Sequence, residues 1–240
     1  RQISQDVDLL LSIFPFEKEW YAKRVPGFPV EFVGHPLCDR YADLEFRDPK
    51  SINEPRRLLL LPGSRTKELS RHLPVMVDAA KSIEAEPLIV LPEESLAAQA
   101  RLLIPEVADW DIQIGELDKA LSRADIAIAS SGTVTLECAW FRVPTVVLYR
   151  TSWITYLLGR LFLKVKHIAM PNVLAEREVF PEFIQSAATP VNLAREANRF
   201  LDDPNRRLEL REELDVIADS LGAKGAAGRA VKCINRLLEN

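Results

Sequence analysis

Pro62-Gly63-Ser64-Arg65 is a turn built to hold an anion, and a second turn of similar make-up, Ser130-Ser131-Gly132-Thr133, lies further along the chain. The first belongs to residues 57–71, RLLLLPGSRTKELSR. Gly63 accepts backbone angles that other residues avoid and lets a ligand come close. The amides that open the helix behind such a turn have no intrahelical partners and point toward it. Arg65 adds a permanent charge with bidentate geometry, and together with Gly63, Ser64 and the helix start it suits a pyrophosphate. In the second stretch Ser131 or Thr133 can cap the following helix and offer a hydroxyl to a ligand oxygen. Glu137, one turn into that helix, can accept hydrogen bonds from a ribose diol. Either turn alone reads equally well as an ordinary strand-to-helix connection, which needs Gly and Ser for geometry. The pair favours one nucleotide, because ligands of open parallel sheets bind beyond the carboxyl ends of the strands.

The elements that must position these turns are legible in the apolar pattern. Leu58 to Leu61 form a continuous apolar run, as expected of a parallel strand buried on both faces. Leu69, Leu73, Met76, Ala80 and Ile83 recur at spacings of four and three, which marks one face of a helix packed on a sheet. From there strand and helix signals alternate: PLIVL, a helix over 95–103, DIQI, a helix over 116–123, DIAIA over 125–129, a helix over 134–141 and PTVVLY over 144–149. The expected fold is α/β, a doubly wound, Rossmann-like parallel sheet. After it come an apolar helix near 153–162, an irregular segment over 167–178 and helices to the end. Residues 7–14 and 30–33 read as two parallel strands joined by a helix over 17–23. Two strands leave both faces and both edges largely uncovered, so this unit is expected to be a βαβ remnant of another α/β domain. The reading therefore divides the chain into 1–42, the end of a first domain; 43–56, a charged linker ending in Asn-Glu-Pro; and 57–240, a nucleotide-binding domain with carboxyl-terminal helices.

Composition narrows the function classes. A chain of 240 residues, 48% hydrophobic with net charge -4, is globular and gives no electrostatic argument for nucleic acid. Cys38, Cys138 and Cys233 are odd in number, widely separated and without metal-ligand spacing, which fits a reduced cytoplasmic compartment and no metal site. No stretch has the length of a transmembrane helix. Walker lysine, HExxH, GxGxxG and GxSxG patterns are lacking, so those chemistries have no local support. Among the histidines, His35 is expected to cap or pack, His72 to lie on a helix surface and His167 in a loop. Residues 152–166, SWITYLLGRLFLKVK, combine aromatic and apolar residues with Arg160, Lys164 and Lys166. They read either as a surface helix touching anionic membrane or as a core helix with a solvated basic edge.

The chain resembles the carboxyl-terminal portion of bacterial lipid-A-disaccharide synthases. The likeness runs through IFPFEKEWY (13–21), FVGHPL (32–37), LLPGSR (60–65), SSGTVTLE (130–137), VPTVVLYR (143–150), MPNVLAERE (170–178) and PEFIQ (181–185). It implies the two-domain GT-B glycosyltransferase fold, with UDP held by the second domain and the acceptor lipid mostly by the first. It implies transfer of 2,3-diacylglucosamine from UDP to 2,3-diacylglucosamine 1-phosphate, with no cofactor and no metal, in the cytoplasm or peripherally on the inner membrane. By resemblance Arg65 and Asn172 are the residues needed for activity; Gly63, Ser64, Ser131, Gly132, Thr133 and Glu137 face the nucleotide; and Gln185 lies near the sugar or phosphate. The family's base is an aspartate of the first domain, with Asp39, Asp125 and the histidines as candidates here only by elimination. One departure is Glu176, where the family commonly has glycine; it places bulk and negative charge in a loop expected near an anionic donor. The region 152–166 also corresponds to one where family subunits exchange segments, so an oligomer contact is a third reading of it; a homodimer or a separate amino-terminal half are the expected protein partners. Two alternatives stand beside this reading: another GT-B enzyme acting on UDP-N-acetylglucosamine, and a UDP-binding module without activity alone.

Overall fold

The computed structural model describes residues 2–42, 44, 55–152 and 166–239. They form two compact units: Arg1–Glu45 with Val216–Asn240, and Phe46–Asp215.

The first unit holds α1 (Ile3–Asp6), β1 (Leu10–Ser12), α2 (Pro15–Arg24), β2 (Val30–Phe32) and α3 (Pro36–Arg40). Strands β1 and β2 pair in parallel, Leu10 against Val30. Residues 3–6, apart from the strand, start the chain as a short helix, so β1 is shorter than the apolar run from Val7 suggests. The sequence division placed residues 216–240 with the nucleotide-binding domain; the structure groups them with this unit instead. Three contacts explain why. Asp39 accepts from the amides of Gly225, Ala226 and Ala227 at the start of the terminal helix, residues Ala226–Leu238. Arg229 Nε donates to Val33 O at 2.7 Å, and His35 N donates to Leu221 O at 2.9 Å. The two-stranded unit thus recruits a helix from the far end of the chain.

The second unit is a six-stranded, wholly parallel sheet. In chain order it contains β3 (Arg57–Leu61), α4 (Thr66–Ala80), β4 (Glu86–Leu91), α5 (Glu94–Leu103), β5 (Asp111–Ile114), α6 (Leu117–Leu121), β6 (Ile126–Ser130), α7 (Val134–Trp140), β7 (Thr145–Tyr149), α8 (Met170–Ala175), β8 (Glu182–Ile184) and α9 (Pro190–Asp202). Then α10 (Pro204–Ser220) carries the boundary between the units, and α11 is the terminal helix Ala226–Leu238. Strand order is β5-β4-β3-β6-β7-β8. Chain direction across the sheet reverses at β3 and β6, which pair in register from Leu58 against Ile126 to Leu61 against Ala129. Both strands are apolar because both faces are covered: Leu58, Leu59, Leu60, Ile126, Ala127, Ile128 and Ala129 are fully buried. Each leucine contributes roughly 2 kcal/mol relative to leaving it in water. At the amino end of the pair, Asp125 Oδ2 accepts from Arg57 N at 2.7 Å. The carboxyl ends carry the two turns singled out by sequence.

Two elements escape the apolar pattern. The segment over 167–178 contains α8, started by Pro171 at its first turn, and residues 182–184 add the edge strand β8 beside β7. The apolar helix expected near 153–162, and most of the 43–56 linker, fall outside the described residues.

Candidate functional site

At the topological switch point between β3 and β6, a cleft of about 620 Å³ opens over the carboxyl ends of the strands. Gly63, Ser64 and Arg65 line one side; Ser130, Ser131, Gly132, Thr133 and Glu137 line the facing side. This is where ligands of open parallel sheets bind. Seven of the nine sequence-derived site residues therefore meet in one place.

The β3 turn is shaped by Gly63, at φ +118°, and by Arg65, which sits at the N-cap of α4 in extended conformation. The Arg65 side chain is 78% exposed, and its Nη1 donates to Glu68 Oε1 at 2.9 Å. The β6 turn is held differently from the sequence expectation. Neither Ser131 nor Thr133 caps α7: Ser131 Oγ donates to Ile168 O at 2.9 Å, and Thr133 makes no side-chain cap bond. Thr135 ties the turn instead, its hydroxyl donating to Gly132 O at 2.8 Å from one helical turn ahead.

A third wall was missed by sequence reasoning. Pro92 follows β4, and Gly115, Glu116 and Leu117 follow β5, all lining the cleft. Gln113 Nε2 fixes this turn by donating to Gly115 O at 3.0 Å and Glu116 O at 2.8 Å. The signal was present in Gly-Glu directly after DIQI, a third strand-to-helix turn at the same end of the sheet.

Asn172 and Gln185 lie elsewhere. Asn172 is fully buried, with every polar valence of its amide used inside the protein. Its Nδ2 donates to Phe180 O at 2.7 Å and Glu182 Oε1 at 2.8 Å; its Oδ1 accepts from Val179 N and Phe180 N, both at 2.8 Å. In this arrangement the amide holds α8 against the start of β8. Gln185, at φ +53°, is clamped on one backbone residue: Oε1 accepts from Thr151 N at 2.8 Å and Nε2 donates to Thr151 O at 3.1 Å. Glu176 is exposed, is not among the residues that line the cleft, and has φ +55° at the C-cap of α8. Its departure from glycine therefore bears on backbone strain.

Of the elimination candidates for a base, Asp39, His35 and His72 are engaged by partners. Asp39 caps α11, and the Gly225 amide first among its donors holds its carboxyl below the usual range. Asp125 sits at the amino end of the β3–β6 pair, opposite the cleft. His35 caps α3 through Nδ1, which accepts from Leu37 N at 3.1 Å, and burial lowers its pKa. His167 lies in the loop before α8. His72 corrects the surface expectation: it is fully buried, with Nδ1 2.8 Å from Pro62 O and Nε2 accepting from Arg150 N at 3.1 Å. Nε2 also lies 3.2 Å from Arg150 O, so the ring ties the end of β3 to the end of β7 through both main-chain groups of Arg150. Its spacing with Leu69, Leu73 and Met76 was the available signal. Cys138 is buried inertly, its thiol pushed up to about 12 by burial.

The strand order and the cleft at its reversal define a Rossmann-like domain of the GT-B architecture. Solved structures agree on the fold: an S. aureus MnaA–UDP structure superposes with a TM-score of 0.61 at 14% identity, over 99% of this chain and 62% of that one. Acinetobacter baumannii MurG gives 0.53 at 20% identity, over 98% and 62%. The family is set by sequence. A model described as lipid-A-disaccharide synthetase matches residues 1–224, and the chain belongs to that family. The lipid-A-disaccharide synthase of Syntrophus aciditrophicus (strain SB) is 38% identical over 245 residues, covering 96% of this chain and 63% of that protein. The chain spans a little under two thirds of the length of the first three curated relatives it matches.

Proposed function

We propose that this chain is the UDP-binding portion of a lipid A glycosyltransferase. The reaction moves 2,3-diacylglucosamine from its UDP derivative to 2,3-diacylglucosamine 1-phosphate: the acceptor hydroxyl attacks the anomeric carbon, the bond from that carbon to the β-phosphate oxygen breaks, and UDP leaves. The observation that carries the reading is the meeting of the Gly63–Arg65 and Ser131–Thr133 turns on paired strands at the switch point, with Arg65 at the rim of the cleft. The start of the 15-residue α4 and the Arg65 guanidinium supply positive charge where the departing diphosphate gains negative charge. Glu137 addresses the ribose, and Pro92 with Gly115–Leu117 forms the wall against which the base stacks. UDP in the MnaA structure supports this nucleotide for the shared fold.

The base that deprotonates the acceptor is, on this proposal, an aspartate outside these 240 residues, as the family resemblance implies; Asp39, His35 and His72 are committed to caps and clamps, and Asp125 lies at the amino ends of the strands. The pocket acts without metal or cofactor, in the cytoplasm. Among the described residues no helix is long and apolar enough to cross a membrane; contact with the inner membrane would come from residues 152–166, which lie mostly outside the described residues. Disaccharide formation tests the reading. The chain alone should give no product from the two acylated sugars, and adding the amino-terminal part of a longer relative, fused or in trans, should give turnover, because positioning and the base together supply several orders of magnitude. Efficient product from the 240 residues alone would place a base within them and overturn the division of labour. A UDP-binding module with no enzymatic role is the second reading, and absence of turnover after that addition would favour it.

A further inference from the structure

Glu68 lies in the place an incoming phosphate needs. It is the third residue of α4, where a glutamate ordinarily reaches back to the amide of the N-cap residue. Here it reaches one residue further. Its Oε2 accepts from Ser64 N at 3.1 Å, and its Oε1 accepts from Arg65 Nη1 at 2.9 Å. The carboxylate therefore takes both a backbone amide of the anion turn and its guanidinium. The side chain is 26% exposed and lines the cleft. Gly63 makes room for it: a Cβ at that position would stand 2.5 Å from Glu68 Oε2 and 2.8 Å from Glu68 Cβ. The absence of a side chain at Gly63 thus serves the carboxylate's position as well as the φ of +118°.

We propose that Glu68 is a built-in counter-anion, which occupies the Ser64 amide and the Arg65 guanidinium in the empty cleft and is displaced from them by the phosphate of the ligand. This deepens the UDP reading and rests on it for the ligand's nucleoside, though not for its anion. The arrangement gives selectivity. A diphosphate, carrying more charge and more acceptor oxygens than a carboxylate, exchanges with Glu68 favourably, whereas a monoanionic or neutral ligand gains little by evicting it. It also aids release of product, because a negative group stands ready to take back the same donors.

The test compares the whole chain with Glu68→Gln, which keeps shape and removes charge, using two probes: inorganic pyrophosphate and UDP. Removing the competing carboxylate should tighten pyrophosphate binding by about three- to tenfold and UDP binding by a similar factor. Glu68→Ala should tighten both probes in the same direction, with circular dichroism checking that each variant is folded. If Glu68 instead holds Arg65 in its working position, Glu68→Gln will bind pyrophosphate no better than, or worse than, the wild-type chain, and the inference is overturned. It is overturned equally if neither protein binds pyrophosphate. Failure of the nucleotide reading looks different: UDP would bind no more tightly than pyrophosphate in both proteins, while Glu68→Gln still exceeded wild type for pyrophosphate.

Discussion

Asn172 and Glu182 are joined by a hydrogen bond of 2.8 Å that ties α8 to the edge strand β8. Glu182 also accepts from Ile168 N at 3.0 Å and Ala169 N at 2.8 Å, and Ile168 O in turn receives the hydroxyl of Ser131 in the cleft. A buried amide thereby supports the β6 turn through two intermediaries. Asn172→Ala should orphan Val179 N, Phe180 N and Phe180 O, costing about 3–5 kcal/mol in stability, since each buried unpaired group costs about 1–3 kcal/mol. Urea denaturation measures this. A variant as stable as wild type, yet inactive in the reconstituted enzyme, would return Asn172 to a direct role with substrate.

Glu176 holds a left-handed conformation that favours glycine. Glu176→Gly should stabilise the chain by about 0.5–1 kcal/mol, the relief of αL strain less the greater freedom of glycine in the unfolded state. UDP affinity should stay unchanged, because Glu176 is not among the residues lining the cleft. A rise in affinity on substitution would show that its charge reaches the donor.

His72 makes stability depend on pH. Burial, opposed by the contacts to the Pro62 and Arg150 carbonyls, lowers its pKa from 6.5, so the unfolded chain takes up a proton that the folded chain resists. Stability from this group is full above 6.5 and is lost as pH falls from there toward the lowered folded value. His35, also lowered by burial, adds in the same sense. Denaturation midpoints at about pH 7.5 and about pH 5.5 should differ less in His72→Gln than in wild type. His72→Ala should cost about 2–4 kcal/mol, from the cavity and the unpaired Arg150 amide. An unchanged pH slope in His72→Gln would contradict the lowering of its pKa by burial.

The parts legible in sequence were those whose signal is local. Apolar runs announced β3, β4, β6 and β7, because strands covered on both faces need no alternation, and the turns after β3 and β6 announced themselves by Gly, Ser and Arg. What escaped depended on distant partners. Three residues with a leading glutamate do not spell a strand, yet Glu182–Ile184 becomes one against β7, with Glu182 kept by Asn172. Pro171-Asn172 reads as a loop, though proline favours the first turn of a helix. Residues 216–240 carry no mark that they pack with residues 1–45; that pairing comes from Asp39 and Arg229 finding partners across 186 to 196 positions of chain.

The claim that the two turns form one diphosphate site is tested most directly by calorimetric titration of the whole chain with UDP, UMP and uridine in the presence of EDTA. UDP should bind more tightly than UMP, and UMP more tightly than uridine, with no metal added. Arg65→Ala should remove about 1.5–3 kcal/mol of UDP binding while leaving uridine unaffected. Equal affinity for UDP and uridine, or an Arg65→Ala variant that binds UDP as well as wild type, would contradict it.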